Sequence, residues 1–439
     1  MLGERDRRIL ALAFPALGTL AIEPLYVLVD TAIVGRLGTV PLGGLALASV
    51  VLTTLVLVCN FLAYGTTARV AFLVGSGDRR SAAGIGSQGL WLSGLIGVPV
   101  AVLVALAGRP LVGLLGGSGA IADAATTYLR ISALGVPAVL VALVGHGYLR
   151  GVSDTRTPLL VALVANVANV VLELVLVYGV HLGIAGSAWG TVIAQLLAAA
   201  WFLGLLGRRI AAAGAPLRPV GAELRRLLIA GRHLLVRTAA LLATLAIATS
   251  VASRVSATTL GGHQIALQLH SFVGLALDAL AIPGQIMIGT ALGGADLDEA
   301  RAVAHRLLAV GLVCGVAVGI AFAVLAPVVP HVFSHDPAVR ERAEVALLVA
   351  ALVQPPAAVA FVMDGVLIGA SDFRFLQYTM IAAFVAFLPV AGAVLRDHRL
   401  GVAGVWAGLL AWMLTRAGFT WWRLRSGRWT AAAEAVRSG

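Results

Sequence analysis

The stretches GVSDTR (Gly151–Arg156) and GASDFR (Gly369–Arg374) are near-copies whose first residues, 151 and 369, stand 218 positions apart. The same shift carries Arg7-Arg8 onto Arg225-Arg226, Arg36 onto Arg254, and LGG at Leu42–Gly44 onto LGG at Leu260–Gly262. It also carries Pro137 onto Pro355 and LGIAG at Leu182–Gly186 onto LGVAG at Leu400–Gly404. A register that holds from end to end marks an internal duplication, so the chain reads as two homologous halves.

The composition says what each half is built from. Of 439 residues 60% are hydrophobic and 12% charged, and the mean hydropathy is +0.99. Apolar runs of about 18 residues or more follow one another along the chain, as in a polytopic membrane protein. The runs are too long and continuous for barrel strands, and in hydrocarbon each segment must satisfy its own backbone, so the spans are helices. Charged, Gly- and Pro-rich punctuation places them near 10–35, 42–74, 82–107, 120–149, 158–180, 183–206, 227–252, 260–292, 302–326, 339–368, 373–395 and 400–422. The first is too long for a signal peptide and lacks a small-residue cleavage site, so it reads as a retained helix. The expected fold is an all-α polytopic membrane protein of twelve transmembrane helices in two six-helix repeats: residues 1–207, a cytoplasmic linker 208–226, and 227–439. An even number of helices per half makes the repeats parallel, related by an axis along the membrane normal, with the substrate site between them.

The net charge is +11, and every basic residue is arginine. With the amino terminus inside, the inner segments hold Arg5, Arg7, Arg8, Arg79, Arg80, Arg150, Arg156, Arg208, Arg209, Arg218, Arg225, Arg226, Arg301, Arg306, Arg374, Arg423, Arg425, Arg428 and Arg437, against roughly eight outside. That bias favours both termini inside, and the expected location is the plasma (cytoplasmic) membrane, crossed many times. Arginines scattered over helix-flanking loops do not form a nucleic-acid footprint. Cys59 and Cys314 both fall within spans and support neither a disulfide framework nor a metal site. GLLGGSGA at Gly113–Ala120 lacks the GK[ST] of a phosphate loop, and no loop is long enough for an ATPase domain, so energy must come from an ion or substrate gradient.

The halves share turns and helix ends and differ in intramembrane charge. At the 218 shift Asp30 faces Ala248 and Glu173 faces Ala391, whereas Asp278 falls on Asn60 and Asp364 on His146. Residues kept in one half only are candidates for function. In the first span Glu23, Tyr26 and Asp30 follow one helix face, with Pro15 and Pro24 able to bend it. An ionised, unpaired carboxylate there costs several kcal/mol, so it takes a proton, pairs, or faces a wet cavity. In the fifth span Asn166, Asn169 and Glu173 share a face at i, i+3 and i+7, and two acids with amides around them suit a proton or, with more oxygen ligands, Na⁺. The second half carries Arg237, Asp278 and Asp364, read as one buried ion pair plus a spare carboxylate. His263, Gln264 and His270 do not make a metal site, and Arg416, deep in the last span, has no assigned partner.

With LVDTAIVGRLG ending the first helix, LGIAGSAWGTVIAQ entering the sixth and ALGGADLDEA after the eighth, the chain resembles the multidrug and toxic compound extrusion (MATE) family. GRHLLVRTAAL, ALDALAIPGQIMIGTALG and MDGVLIGASDFR are most similar to its DNA-damage-inducible F branch. The resemblance covers nearly the whole chain. It implies a V-shaped pair of six-helix lobes and export of amphipathic, often cationic drugs or toxic metabolites by alternating access, in exchange for H⁺ or Na⁺, with H⁺ first. It further implies that Asp30 is the family's first-helix acid, Asn169 and Glu173 its fifth-helix pair, and Pro15 the proline that bends on protonation. The branch's usual fifth-helix acid is Asp, and this chain has Glu; Glu23 is also unusual for its position. No cofactor and no enzymatic activity are implied. A lipid-linked precursor flippase is the alternative of similar architecture, and it calls for several arginines lining a central cavity.

Overall fold

The computed structural model describes residues 3–431; Arg437 and the two chain ends used in the topology argument lie outside the described residues. Among the described residues there is no strand, and twelve helices are long and apolar enough to cross a membrane. They are α1 (Glu4–Gly35), α2 (Thr39–Gly75), α3 (Arg79–Leu114), α4 (Gly119–Gly151), α5 (Arg156–Gly179), α6 (Ile184–Ala212), α7 (Gly221–Val255), α8 (Ala257–Gly293), α9 (Leu297–Leu325), α10 (Pro337–Gly369), α11 (Phe373–Arg396) and α12 (His398–Arg425). Each expected span corresponds to one of them, and most run longer at the ends, where charged turns follow the apolar stretch.

The local chemistry of the duplicated turns explains why the halves break at matching places. Asp78 caps α3 by accepting from the Ser81 amide at 2.9 Å, and Asp296, its counterpart at the 218 shift, caps α9 through the Glu299 amide at 2.9 Å. Ser153 and Ser371, the serines of GVSDTR and GASDFR, hold left-handed backbone at φ 64° and 59°. In both turns the next residue is an Asp at the start of a helix, a position its short polar side chain favours.

The chain packs as two compact units. One runs from Phe14 to Gly231, and the other joins the described residues up to Ala13 with those from Arg232 onward. The division inside α1 has a chemical basis within the second unit: Asp6 receives Arg306 at 2.5 and 2.8 Å, and Arg5 reaches Glu299 at 2.7 Å. Pro15 follows immediately, yet α1 stays helical through both Pro15 and Pro24. In the first unit the segment after α6 is docked on α3. The Leu217 carbonyl accepts from Trp91 at 2.7 Å, and Gln88 bonds both the Arg218 carbonyl and the Val220 amide.

Apolar side chains gain little from leaving lipid for a helix interface, so packing relies on close backbone approach at small residues. In the second unit a Cβ at Gly365 of α10 would lie 2.2 Å from the Ala281 carbonyl oxygen of α8, and one at Gly315 of α9 would lie 2.6 Å from the Ala358 methyl. Gly84 in α3 has no such neighbour within 4 Å. Gly365→Ala is therefore expected to destabilise the protein by about 1–3 kcal/mol, read as a lower unfolding midpoint in detergent. Gly84→Ala, which adds helix propensity without a clash, should not lower the midpoint.

Candidate functional site

The first unit gathers Asp30 from α1, Glu173 and Asn169 from α5, and two hydroxyls from α6. Asp30, 5% exposed, accepts from Ser187 Oγ at 2.6 Å, and its carboxyl lies close to that of Glu173, which is 0% exposed. Thr191 Oγ1 is the hub: it lies 2.8 Å from the Tyr26 hydroxyl, takes the Asn169 amide at 3.3 Å, and stands 3.5 Å from Glu173 Oε1. Tyr128 of α4 is buried and lies near the same Ser187 and Thr191. Glu173 Oε2 and Asn169 Oδ1 are buried without a hydrogen-bond partner. Among the described residues no arginine or histidine forms an ion pair with either acid.

Local backbone features bring these groups together. Regular α-helix ends at Glu173, and Leu174–Gly179 winds as a wider π turn, a feature frequent at functional sites. On α6, Gly186 and Gly190 remove the side chains that would block α5. A Cβ at Gly190 would sit 2.9 Å from Glu173 Cγ, and one at Gly186 would sit 2.9 Å from the Leu176 carbonyl. Ser187 and Thr191 each follow one of these glycines, so the close approach delivers their hydroxyls to the acids.

The second half fills the equivalent positions with hydrocarbon. At the 218 shift Asp30, Tyr128, Asn169, Glu173, Ser187 and Thr191 become Ala248, Ala346, Phe387, Ala391, Val405 and Leu409. All six belong to one buried hydrophobic cluster. The fold at these positions does not require polar groups.

Other expected residues stand apart. Asn166 shares the helix with Asn169 but turns its amide to its own helix, donating to the Ala162 carbonyl at 2.8 Å. Glu23 is exposed and makes no hydrogen bond or ion pair among the described residues. Pro24 lies inside the unbroken α1 helix, and the Pro15 carbonyl accepts from Thr19 Oγ1 at 3.0 Å. Ser187 and Thr191 in GSAWGT, and Tyr128 in the fourth helix, escaped the sequence reading because it followed the intramembrane charges. The available signal was that all three hydroxyl residues become aliphatic in the second copy.

In the second unit the expected pair with a spare carboxylate is corrected. Asp364 takes two guanidinium groups on one oxygen, Arg237 and, at 2.7 Å, Arg416. Arg416 is 1% exposed and lies over Trp412 and Phe361 at 5.0 and 5.6 Å from the ring centroids. Asp278 lies within electrostatic reach of the same guanidinium. Two cations and two anions offset one another here, whereas the two acids of the first unit have no such counter-ion.

The profile described as MatE matches the chain twice, over residues 15–175 and 235–392. The chain is 32% identical over 455 residues to Protein DETOXIFICATION 45, chloroplastic, of Arabidopsis thaliana, covering 96% of this chain and 79% of that one. It is 29% identical over 453 residues to DNA damage-inducible protein F of Escherichia coli, covering 97% and 94%. The fold superposes on a multidrug resistance MATE family transporter of the MOP superfamily in an outward-facing conformation, with a TM-score of 0.87 at 20% identity, over 99% of this chain and 97% of that one.

Arg416→Met is expected to lower the unfolding midpoint, because Asp364 keeps its charge and loses one of two partners. The loss should be smaller in an Asp364→Asn background. Additive effects in that double-mutant cycle would contradict the arrangement.

Proposed function

The chain belongs to the MatE family, the multidrug and toxic compound extrusion transporters, and on that premise we propose that it exports amphipathic, often cationic compounds in exchange for protons bound at Asp30 and Glu173. The observation that carries this reading is the pair of adjacent buried carboxyls without a counter-cation. Two such groups cannot both hold a negative charge in a low-dielectric site, so together they retain at least one proton or take in a cation. The hydroxyls of Tyr26, Ser187 and Thr191 and the Asn169 amide can donate to or accept from the acids as their protonation changes.

Export follows if protonation and substrate binding oppose one another at this site. With the pocket open outward, protons enter and substrate leaves; with it open inward, the protons pass to the cytoplasm and substrate binds. Linkage makes the antagonism reciprocal, so a proton weakens substrate affinity by the factor by which substrate weakens proton affinity. Glu173 in place of the branch's usual Asp places the carboxyl one methylene further from α5, with its Cγ packed against the glycine at position 190. The reading places the chain in the cytoplasmic membrane, and the arginine asymmetry along it supports both termini inside.

The test is dye transport by proteoliposomes under an imposed pH or Na⁺ gradient. The wild type should respond to the pH gradient, and Asp30→Asn and Glu173→Gln should lose most of the gradient-driven transport while still binding dye, the proton no longer weakening dye affinity by the roughly 5–150-fold typical of coupled sites. Glu173→Asp should retain coupling better than Glu173→Gln. Equal transport by wild type and Asp30→Asn would remove Asp30 from the mechanism, equal transport by wild type and Glu173→Gln would remove Glu173, and a response to Na⁺ alone would overturn the proton assignment.

A further inference from the structure

The replacement of polar groups by hydrocarbon also runs the other way. His263, His270, Gln354 and Trp406 of the second half fall, at the 218 shift, on Leu45, Leu52, Val136 and Ala188. Leu45 and Ala188 belong to a hydrophobic cluster of the first unit, with Leu52 packed against it. The second unit holds the four polar residues together. The Trp406 ring lies 6.0 Å from both imidazoles, edge-on to His270, and Gln354 Nε2 is 3.2 Å from His270 Nδ1. His263, Gln354 and Trp406 are each 0% exposed, and His263 Nδ1, Gln354 Oε1 and Trp406 Nε1 are buried without a partner.

Hydrogen-bond arithmetic fixes the state of the histidine. Gln354 Nε2 also lies 3.1 Å from the Ala350 carbonyl, which can only accept, so the nitrogen end of the amide must face it. The same nitrogen then donates its other hydrogen to His270 Nδ1. That nitrogen is therefore the unprotonated one, and the ring is neutral with its hydrogen on Nε2. A proton arriving at Nδ1 meets a donor and cannot stay unless the amide turns over. Turning over brings Oε1, now unpartnered, to the new N–H and ends the side-chain bond to Ala350. The residues after Gln354 are Pro355 and Pro356, whose missing amides already leave this turn of α10 short of backbone bonds.

We propose that Nδ1 of His270 is a proton-binding site in the second unit, gated by the Gln354 amide and separate from Asp30 and Glu173. The proton comes from water and no other covalent bond changes. Among the charged groups on the surrounding helices, Arg416 of α12 faces the ring, and Asp364 of α10 takes up its charge. Arg237 of α7 binds the same Asp364, and Asp278 of α8 lies within reach of Arg416. The charges of α9 are confined to Asp298–Arg306 and those of α11 to its ends. Protonation would add a third cation to this balanced set and release a side-chain tether at the double proline, which makes α10 the element that responds.

The test is nitrogen-15 NMR of the full chain labelled at histidine, with His270→Gln to assign the signal. Above neutral pH the His270 signal should show the Nε2–H tautomer, and on acidification it should become imidazolium. Gln354→Glu, which supplies a permanent acceptor, should raise the pH of that change by about 1–3 units; should His270→Gln not fold, the signal that moves in Gln354→Glu makes the assignment. An Nδ1–H tautomer, a ring that stays neutral down to acid unfolding, or no signal that moves in Gln354→Glu would each overturn the proposal. None of these readouts depends on Asp30, Glu173 or transport.

Discussion

Two carboxyl groups placed side by side in a hydrocarbon-filled protein, with no cation in contact, set the terms for the rest of the first unit. Water would stabilise both charges by solvation; here hydroxyls and an amide take its place, and they cannot neutralise two negative charges. Asp30 and Glu173 are thus tied to a proton or a passing cation, and what occupies them bears on their neighbours. The glycines of α6, the π turn after Glu173 and the Thr191 hub are the local devices that hold the acids at that distance.

The duplication turns this observation into a comparison. Equivalent positions of the two halves carry an acid-and-hydroxyl cluster in one and a hydrocarbon cluster in the other, and the positions of His263, His270, Gln354 and Trp406 are hydrocarbon in the first half. Matching turns at Ser153 and Ser371 show that the backbone plan is common to both. Specialisation has been written into a few buried side chains while helices, caps and small-residue contacts stayed the same. The second unit balances its charges internally through Asp364 with Arg237 and Arg416, which suits a structural core beside the histidine site proposed there.

Much of this was legible from residues alone. Helix number and boundaries follow from apolar runs interrupted by Gly, Pro and charge, because lipid demands continuous helices and gives water only at their ends. Asp30, Glu173 and Asn169 stood out because an acid in hydrocarbon is expensive. Three-dimensional partners were harder to read. Asn166 has the right spacing to join the acids and instead satisfies itself on the Ala162 carbonyl, a local choice that periodicity cannot foresee. Arg416 found Asp364 across 52 residues of chain, and Ser187 and Thr191 found the acids through glycine contacts between α5 and α6. Hydroxyls are common in membrane helices because they can bond their own backbone, so their type carries little signal until the neighbouring helix is in place.

The central claim is that a proton and the exported compound compete through Asp30 and Glu173. It is tested most directly by counting protons released when an amphipathic cation is added to the purified protein in weakly buffered detergent solution. The account predicts release in the wild type and none in the Asp30→Asn, Glu173→Gln double variant, with dye still bound. Binding without proton release in the wild type, or unchanged release in the double variant, would contradict it.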